Sequence, residues 1–423
     1  MIKLLFGFNS CFENLNKNEL RKVNKLVNVD DKAIVKDYEN KFVSITGKGY
    51  GFSLASGRMA FYLLLKHLNI GKADEVLVVG FTCSVMINAI LRVGATPIYS
   101  DVSPLTFGSD AKSIKDKISV RTKMIVAQHS FGIPCDIEKI ARLGKLNKIF
   151  VLEDCALALG SEIKGIKVGN FGDAAIFSTD HSKPLNTLIG GFFYTRNEKL
   201  YNTISKDLES IPELSKNQKK NLFKQLLFEK KWHSPNKYKY AKWINILHRI
   251  RKKIAGKKLL FMDGDNGPPH LIKPQYPYPA KLPTFLAQVG IYELNIFDKE
   301  RNRRKEILEK YLITFSNSEY KNDISSVYFD EHIDINPLRF VFTSKKASEL
   351  KNQLSLFIDF SQIWFRKPII ATSFDLSELK YKKANCPIAE SIGKTIINFP
   401  CIIPEEFEDS FFKLLGKQVL NKH

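Results

Sequence analysis

The sequence predicts an α/β fold in which a largely parallel β-sheet is flanked by helices. From about residue 47 to residue 194, short apolar runs rich in β-branched residues alternate with segments of helical spacing. This alternation indicates βαβ units, because a strand that returns parallel to its neighbour needs a crossover connection. In such sheets ligands bind at the carboxyl ends of the strands. Polar residues follow the predicted strands at Asp101, His129, Asp154 and Ser178.

Each predicted element is supported by its own pattern. Short, mostly apolar runs predict strands at 75–79, 96–99, 124–128, 149–152 and 174–177. Apolar residues repeated every three or four positions predict helices at 58–68, 85–92 and 136–143. Farther along, the patterns predict a long, partly charged helix at 285–312 and strands at 338–342 and 396–399. This last part resembles a smaller α+β domain.

We therefore expect four segments. They are an N-terminal arm (1–45), a large domain that carries the sheet (46–205), a basic, partly helical insertion (206–282) and a small C-terminal domain (283–423). A chain of 423 residues is long enough for such an organisation.

Composition narrows the class of protein. Hydrophobic residues make up 44% of the chain and charged residues 26%, as in ordinary soluble globular proteins. The six cysteines are scattered without a Cys-x-x-Cys pair, so we expect reduced thiols and no metal site. No apolar stretch of 18 residues occurs, and the apolar run at 4–8 is too short for a signal peptide. We expect a cytoplasmic protein.

The net charge of +21 is concentrated in one stretch. Between Lys216 and Lys258 there are fifteen basic residues and a single acidic one, Glu229. The net charge therefore says little about the main domain, which contains no aromatic-basic motif typical of nucleic-acid binding. We expect no nucleic-acid partner.

The segment FSTDHSKPLNTLIGG places Lys183 between a predicted strand and a glycine pair. A lysine near the buried carboxylate Asp154 could form a structural ion pair. Alternatively, its amine could form an imine with a carbonyl, as lysines do when burial or nearby cations lower their pKa. Pyridoxal phosphate (PLP) chemistry would additionally need an acid at the pyridine nitrogen, a phosphate cradle and a contact to the ring.

The sequence offers a candidate cradle. Ser56, Gly57 and Arg58 open the first helix of the large domain. Backbone N–H groups at a helix N-terminus bind phosphate, and glycine permits close approach. Ser178, at the end of the strand before Lys183, could add a hydroxyl.

Five motifs in order resemble the DegT/DnrJ/StrS family of sugar aminotransferases, which are PLP enzymes of fold type I. They are SGRMAFYLLL, VLVVGFTCSVMINAILRVGATPIYSDV, QHSFGIPCDIEKIA, VLEDCALALGS and GDAAIFSTDHSKPLNTLIGG. The resemblance implies that Lys183 binds the cofactor covalently and that Asp154 partners the pyridine nitrogen. It also implies that Ser178 and the turn at Ser56, Gly57 and Arg58 hold the phosphate.

The resemblance further implies amino transfer from a donor, glutamate by family habit, to a keto-sugar nucleotide, in the biosynthesis of surface polysaccharide or related amino sugars. It implies a homodimer whose active sites lie at the subunit interface. Several positions depart from the family pattern. Cys83 stands where many members have an aromatic residue against the ring, and Lys281 is the nearest basic residue where many have an asparagine. His129, His181 and Lys281 are the candidate substrate contacts.

Two alternatives stay open at this point. One branch of the family has histidine in place of the lysine and performs dehydration, and Lys183 argues against that branch. The other alternative is a non-catalytic relative that binds PLP or a nucleotide sugar.

The stretch 237–254 predicts a basic amphipathic helix. Tyr240, Trp243, Ile244, Leu247, Ile250 and Ile254 recur at helical spacing among basic residues. This pattern is typical of a helix at a membrane surface, which would make the enzyme peripheral at the inner face of the membrane. The stripe could instead pack on the protein's own core or a dimer partner, as such stripes usually do. A third option is a lid over an anionic substrate.

Overall fold

The computed structural model describes residues 7, 8, 12, 14–233, 235–254 and 267–420. Its α-helices are, in chain order, α1 (Lys17–Lys25), α2 (Lys32–Thr46), α3 (Gly57–His67), α4 (Ser84–Arg92), α5 (Ala111–Lys115), α6 (Ile137–Asn147), α7 (Glu198–Ile204), α8 (Lys216–Trp232), α9 (Pro235–Ile254), α10 (Thr284–Asn295), α11 (Phe297–Ser316), α12 (Ala347–Leu354), α13 (Pro387–Thr395) and α14 (Glu405–Leu420).

The strands are β1 (Tyr50–Leu54), β2 (Glu75–Val79), β3 (Thr82–Cys83), β4 (Thr96–Ser100), β5 (Thr122–Gln128), β6 (Phe150–Asp154), β7 (Glu162–Ile163), β8 (Ile166–Lys167), β9 (Ala174–Ser178), β10 (Gly191–Thr195), β11 (Ile333–Asp334), β12 (Arg339–Thr343), β13 (Ile369–Ile370) and β14 (Ile396–Pro400).

The central sheet has seven strands in the order β1-β10-β9-β6-β5-β2-β4. Strand β10 is antiparallel to both of its neighbours, and the other pairs are parallel. Strands β2 and β10 are buried along their whole length, as expected where helices cover both faces of a sheet. The predicted α/β fold with a mostly parallel sheet is confirmed, and each predicted strand of this sheet has a counterpart within two residues at either end.

The predicted single helix over 285–312 is wrong. Helix α10 ends at Asn295 and α11 begins at Phe297, with Ile296 in a non-helical conformation between them. Helix α10 is buried over most of its surface, whereas α11 carries charged residues on an exposed face. No glycine or proline marks the break, and the apolar pattern continues across it, so the sequence pattern favours one helix.

Helix α2, near the N-terminus, packs against α10, although the two helices lie far apart in the sequence. Its N-cap, Asp31, donates its backbone N–H to the Thr284 hydroxyl at 3.0 Å. Tyr38 is fully buried against Gly290, where an added Cβ would lie 2.3 Å from the tyrosine ring. The segment predicted as an arm therefore contributes a helix to the core.

The C-terminal segment reaches the edge of the sheet where the parallel strands end. Strand β13 pairs in parallel with β3, so that Ile370 lies opposite Cys83. The Asp101 carboxylate, just past β4, accepts backbone N–H groups of Ile388 and Ala389 at the start of α13. These contacts bring C-terminal residues to the end of the sheet where ligands bind.

Helix α9 turns its apolar stripe outward. Tyr238 and Ala241 are buried on one side of the helix, while Tyr240, Trp243, Leu247 and Ile250 are 51%, 68%, 54% and 51% exposed. These four side chains therefore do not pack on the protein's own core. Ile244 of the same stripe is half-buried, and the side chain of Ile254 lies outside the described residues. Among the described residues, no helix is both long enough and apolar enough to cross a membrane.

Candidate active site

Lys183 lies in the loop between β9 and β10, at the carboxyl end of the parallel strands. Its backbone N–H donates to the Asp180 carbonyl at 2.9 Å, and its Nζ lies 4.6 Å from the centroid of the Trp364 ring. Burial lowers the pKa of Lys183, Arg339 lowers it further, and Asp180, Cys83 and Asp154 oppose this shift. A lowered pKa increases the fraction of free amine, which is the form that attacks a carbonyl.

Asp154 is the last residue of β6, the strand next to β9. The side chain is buried, and its Oδ1 accepts the Ala156 backbone N–H at 3.0 Å. Burial raises the pKa of this carboxyl, while the Ala156 N–H and the Lys183 cation lower it. A buried carboxylate with few partners is suited to hold a positively charged group of a ligand.

The N-terminus of α3 meets the ends of β9 and β10. An added Cβ on Gly57 would lie 2.8 Å from the Phe177 carbonyl oxygen, and one on Gly191 would lie 1.9 Å from the Gly57 nitrogen. Only glycine fits at these two positions. Gly191 therefore explains one member of the glycine pair, because it lets the helix end approach the strand.

This helix end also has free hydrogen-bonding capacity. Ser56 is the N-cap of α3, yet its side chain makes no capping bond. Its Oγ is buried and has no partner among the described residues. A buried hydroxyl without a partner is costly unless a ligand supplies one. The helix N-terminus, the Ser56 hydroxyl and the adjacent Ser178 therefore fit the phosphate of PLP.

Cys83 and Arg58 complete the group around Lys183. Cys83 is half-buried at the junction of β3 and α4. Burial raises the pKa of its thiol, while the Val85 backbone N–H and the cations Lys183 and Arg58 lower it. Lys183 and Arg58 thus lie near enough to Cys83 for their charges to act on it, and Asp154 acts in the same way on Lys183.

His129 is placed differently from the prediction of a substrate contact. Its ring is fully buried, with Nε2 3.1 Å from the Glu153 carboxylate and Nδ1 accepting the Cys135 N–H at 3.0 Å. Glu153 precedes Asp154 and so points to the opposite face of β6. Glu153 also accepts three backbone N–H groups, from Gly169, Phe171 and Gly172. The two ring nitrogens of His129 thus tie the end of β5 to β6 and to the loop before α6.

Two of these residues, His129 and Glu153, also belong to a cluster whose side chains are of the types that bind metal ions. His129, Glu153 and Cys155 offer ligand atoms within 4.8 Å of one another. The hydrogen bonds of His129 and Glu153 already occupy those nitrogen and oxygen atoms.

His181 connects the lysine loop to the basic segment. Its Nδ1 lies 3.3 Å from Glu229 on α8, and its Nε2 lies 3.5 Å from Asp180. Burial lowers the pKa of His181, but Asp180 and Glu229 outweigh burial and raise it to about 9. Glu229 was not predicted as a site residue. A single acid among fifteen basic residues was the signal that could have identified it.

Lys281 lies elsewhere in the same chain. Its Nζ is 3.4 Å from the Glu209 carbonyl, and its backbone N–H donates to Pro212 at 3.0 Å. Its charge acts on Asp30 and Glu213. None of its contacts with described residues involves the Lys183 loop.

Two residues of the C-terminal segment were missed by the sequence analysis. The Arg339 guanidinium lies 3.8 Å from the centroid of the Trp364 ring, which also contacts Lys183. Arg339 stands in the run LRFVF, and a charged residue in an otherwise apolar strand was the available signal. No comparable feature of the sequence identified Trp364 as a site residue.

Comparison with known proteins agrees with this geometry. The sequence profile of the DegT/DnrJ/EryC1/StrS aminotransferase family matches residues 11–227. GDP-perosamine synthase of Escherichia coli O157:H7 is 40% identical over 167 residues, which cover 40% of this chain and 46% of that protein. A UDP-N-acetyl-3-dehydro-alpha-D-glucosamine 3-aminotransferase of Acidithiobacillus ferrooxidans is 38% identical over 163 residues, covering 38% and 44%. The chain thus matches less than half the length of either relative.

A solved structure extends the similarity to the whole chain. A putative sugar aminotransferase from Streptococcus pneumoniae, in its PMP form, superposes with a TM-score of 0.68 at 19% identity. The alignment covers 96% of both chains, so the two proteins share the fold.

Proposed function

Because the chain belongs to the DegT/DnrJ/EryC1/StrS aminotransferase family, we propose that it is a PLP-dependent aminotransferase that acts on a keto-sugar nucleotide. The observation that carries the proposal is the convergence of Lys183, Asp154 and the N-terminus of α3 at one end of the sheet. The two relatives named for GDP- and UDP-linked sugars support a nucleotide sugar as the acceptor. Glutamate is the proposed donor, and surface polysaccharide or a related amino sugar is the proposed destination.

The residues present fit PLP part by part. Lys183 would hold the aldehyde carbon, Asp154 the pyridine nitrogen, and Ser56, Gly57 and Ser178 the phosphate. Cys83 would line the ring face that an aromatic residue covers in many relatives. When bound, PLP supplies an electron sink for the carbon that loses its proton.

The chain's own part in the reaction is to position groups and move protons. Lys183 would hold the cofactor between turnovers, and its amine would be free while the donor amine occupies that place. Its free amine can then take the proton from the donor's α-carbon and return a proton during the second half of the cycle. Burial lowers the pKa of Lys183, which favours this role because the amine must be unprotonated to act as a base. Asp154 keeps the ring nitrogen protonated.

The direct test loads the purified protein with PLP, reduces it with borohydride and locates the added mass by peptide mass spectrometry. We expect the label on Lys183. A second sample receives L-glutamate and then a panel of keto-sugar nucleotides, and the release of 2-oxoglutarate and amino sugar is measured. Labelling of Lys183 without any transfer would favour the non-catalytic relative.

We also propose a homodimer. Lys281, the basic residue of the segment that family members lend to a neighbouring subunit, lies away from its own Lys183 loop. A dimer would explain how the Lys281 segment of one subunit could act at the active site of the other. Analytical ultracentrifugation of the active enzyme at micromolar concentration tests this, and full activity of a monomer would refute it.

Finally, we propose that α9 binds an anionic membrane surface. Its exposed stripe of Tyr240, Trp243, Leu247 and Ile250 combines aromatic and aliphatic side chains. The surrounding stretch carries fifteen basic residues and one acidic residue. A second copy of the same stretch would repel it, whereas anionic lipid would attract it at about 1 kcal/mol per basic residue near the surface. This would place the enzyme at the cytoplasmic face of the membrane.

A further inference from the structure

The junction of α8 and α9 is anchored to the loop that carries Lys183. We call this junction the α8–α9 corner (225–233 and 235–238). Glu229 of the corner is 2% exposed, and its Oε1 lies 3.3 Å from Nδ1 of His181. Gln225 donates to the same oxygen at 2.9 Å. Separating a buried ion pair leaves a buried charge alone, which is costly, so this contact holds the lysine loop against α8.

The lysine loop passes this restraint on to Lys183. The backbone N–H of His181 donates to the Leu188 carbonyl at 3.3 Å, and that of Lys183 donates to the Asp180 carbonyl at 2.9 Å. His181 lies only two residues before Lys183. Because both bonds lie inside one short loop, a movement of His181 moves the backbone of Lys183 with it.

A second anchor joins the corner to a loop of the C-terminal segment (359–364). Tyr238, near the start of α9, is buried. Its hydroxyl accepts a hydrogen bond from the Gln362 side chain at 2.7 Å and donates to the Asp359 carboxylate at 3.3 Å. Trp364, two residues after Gln362, has its ring centroid 4.6 Å from the Nζ of Lys183. The second anchor therefore holds the loop that faces Lys183.

The corner between the two anchors is itself packed. The His233 backbone N–H donates to the Glu229 carbonyl at 3.0 Å, and the centroids of the His233 and Tyr238 rings are 6.1 Å apart. Burial lowers the pKa of His233, so its ring packs as a neutral side chain near pH 7. The two anchors therefore belong to one packed unit.

Glu229 is the only acidic residue between Lys216 and Lys258. An acid adds nothing to the attraction of anions by this stretch, and its burial against His181 indicates a role inside the protein.

We infer that the α8–α9 corner is a clamp that holds the Lys183 loop and the Trp364 loop together, with Glu229 and Tyr238 as its two positioning residues. The inference rests on the proposed function, in which the Lys183 amine must meet the bound substrate at a fixed distance. Neither positioning residue touches the substrate, since each acts through the loop that it holds.

Two single variants and their combination test the clamp. Glu229→Gln removes the ion pair, and Tyr238→Phe removes only a hydroxyl. Each should lower kcat for amino transfer about tenfold with little change in KM for glutamate, because a small misplacement of Lys183 slows proton transfer. A clamp acts through both anchors in series, so the double variant should be no slower than the slower single variant. Independent effects would multiply to about 100-fold.

Two further measurements separate a displaced loop from a loss of folded enzyme. With Trp232→Phe and Trp243→Phe in the background, Trp364 is the only tryptophan. Its quenching by acrylamide should increase about twofold in each single variant and no further in the double variant, because release of either anchor separates the loops. The rising limb of the pH–rate profile should move to higher pH. Water then reaches Lys183, and burial lowers its pKa less.

The matched controls are Glu306→Gln and Tyr50→Phe. Glu306 is an exposed carboxylate paired with Arg303, and Tyr50 is a tyrosine of β1 that is 36% exposed. Neither control should change kcat or the quenching of Trp364. If Glu229→Gln does not fold, His181→Gln combined with Tyr238→Phe gives the same comparison, because it removes the other half of the ion pair.

Losses of kcat that multiply in the double variant would overturn the inference, as would quenching of Trp364 that no variant changes. If quenching changes as expected but the wild-type protein transfers no amino group, the proposed function fails and the clamp stands. If the wild-type protein and all variants transfer amino groups equally well, the clamp fails and the proposed function stands.

Discussion

The carboxyl end of the sheet and helix α9 both carry positive charge, but the two regions differ in how far their side chains are exposed to solvent. At the sheet, Lys183 is half-enclosed, with Asp180, Cys83 and Asp154 acting on its charge. On α9, the apolar residues of one face are exposed, and the surrounding stretch carries fifteen basic residues and one acidic residue. Enclosure changes the pKa values of the first group and so suits it to chemistry. Exposure leaves the second region suited to attract a large anionic surface.

Replacement of Lys183 tests the enclosed region most severely. Lys183→Ala should reduce amino transfer by about 1,000-fold or more, because the base and the covalent attachment point are both lost. The melting temperature should change little, since Lys183 is only half-buried. Steady-state assays and thermal melting measure both quantities. Lys164→Ala, which removes an exposed lysine paired with Glu138, is the control. Turnover near the wild-type rate in the Lys183 variant would contradict the assignment.

Asp154→Asn should have the next largest effect, a loss of about 100-fold or more in the half-reaction with glutamate. The neutral amide cannot hold a proton on the pyridine nitrogen as a carboxylate does. Stopped-flow absorbance measures the rate and also reports the spectrum of the bound cofactor. Asp136→Asn, at an exposed ion pair with Lys139, controls for loss of a carboxylate. An unchanged spectrum and rate would show that Asp154 has another role.

The exposed region is tested by vesicle binding. Trp243→Ala combined with Leu247→Ala should weaken binding to anionic phospholipid vesicles at low salt by about tenfold or more, because two anchoring side chains are lost. Activity in solution should be unchanged. Leu146→Ala, which removes an exposed leucine of α6, is the matched control. Failure of the wild-type protein to co-sediment with anionic vesicles, or binding that survives charge reversal at Lys252 and Lys253, would end the membrane proposal.

The smallest effect is expected where the two regions meet, at His181 and Glu229. Asp180 and Glu229 outweigh the effect of burial and raise the pKa of His181 to about 9, from an ordinary 6.5. A histidine whose pKa rises on folding stabilises the fold while it is protonated. This contribution is complete below about pH 6.5 and is lost as the pH rises through about 9.

His181→Gln should therefore lower the free energy of unfolding more at about pH 6 than at about pH 10. Denaturant titrations at several pH values measure this difference. His332→Gln, at an exposed histidine, controls for loss of the imidazole itself. A difference that does not vary with pH would mean that His181 is not held protonated by its two neighbours.

Five of the seven strands of the sheet could be predicted because they are short and mostly apolar, so their pattern differs from that of the helices. Strands β1 and β10 were not among the predicted strands. Residues next to strand ends, such as Asp154 and Ser178, followed from the same pattern. The cofactor candidates depended on motif order, since neither Lys183 nor Gly57 is distinctive alone. Gly57 belongs to the first motif and Gly191 to the last, and their close approach shows that motifs far apart in the sequence meet in the structure.

Other features could not be predicted because they depend on contacts between distant segments. Arg339 and Trp364 reach Lys183 from a part of the chain with weak motifs. His129 resembles a ligand residue in the sequence, and only its bonds to Glu153 and Cys135 reveal its packing role. A helical pattern identifies the apolar stripe of α9 but not the direction in which it faces. The break at Ile296 has no local signal.

The packing of α2 on α10 has a consequence for synthesis of the protein. Tyr38 is buried against Gly290, so α2 emerges from the ribosome long before its binding surface exists. At about 5–20 residues per second, roughly 10–50 s separate the appearance of the two helices. During that time Tyr38, which is fully buried in the finished fold, lacks the part of its packing site that α10 provides. The nascent chain therefore exposes an amphipathic helix that chaperones could hold until α10 is complete.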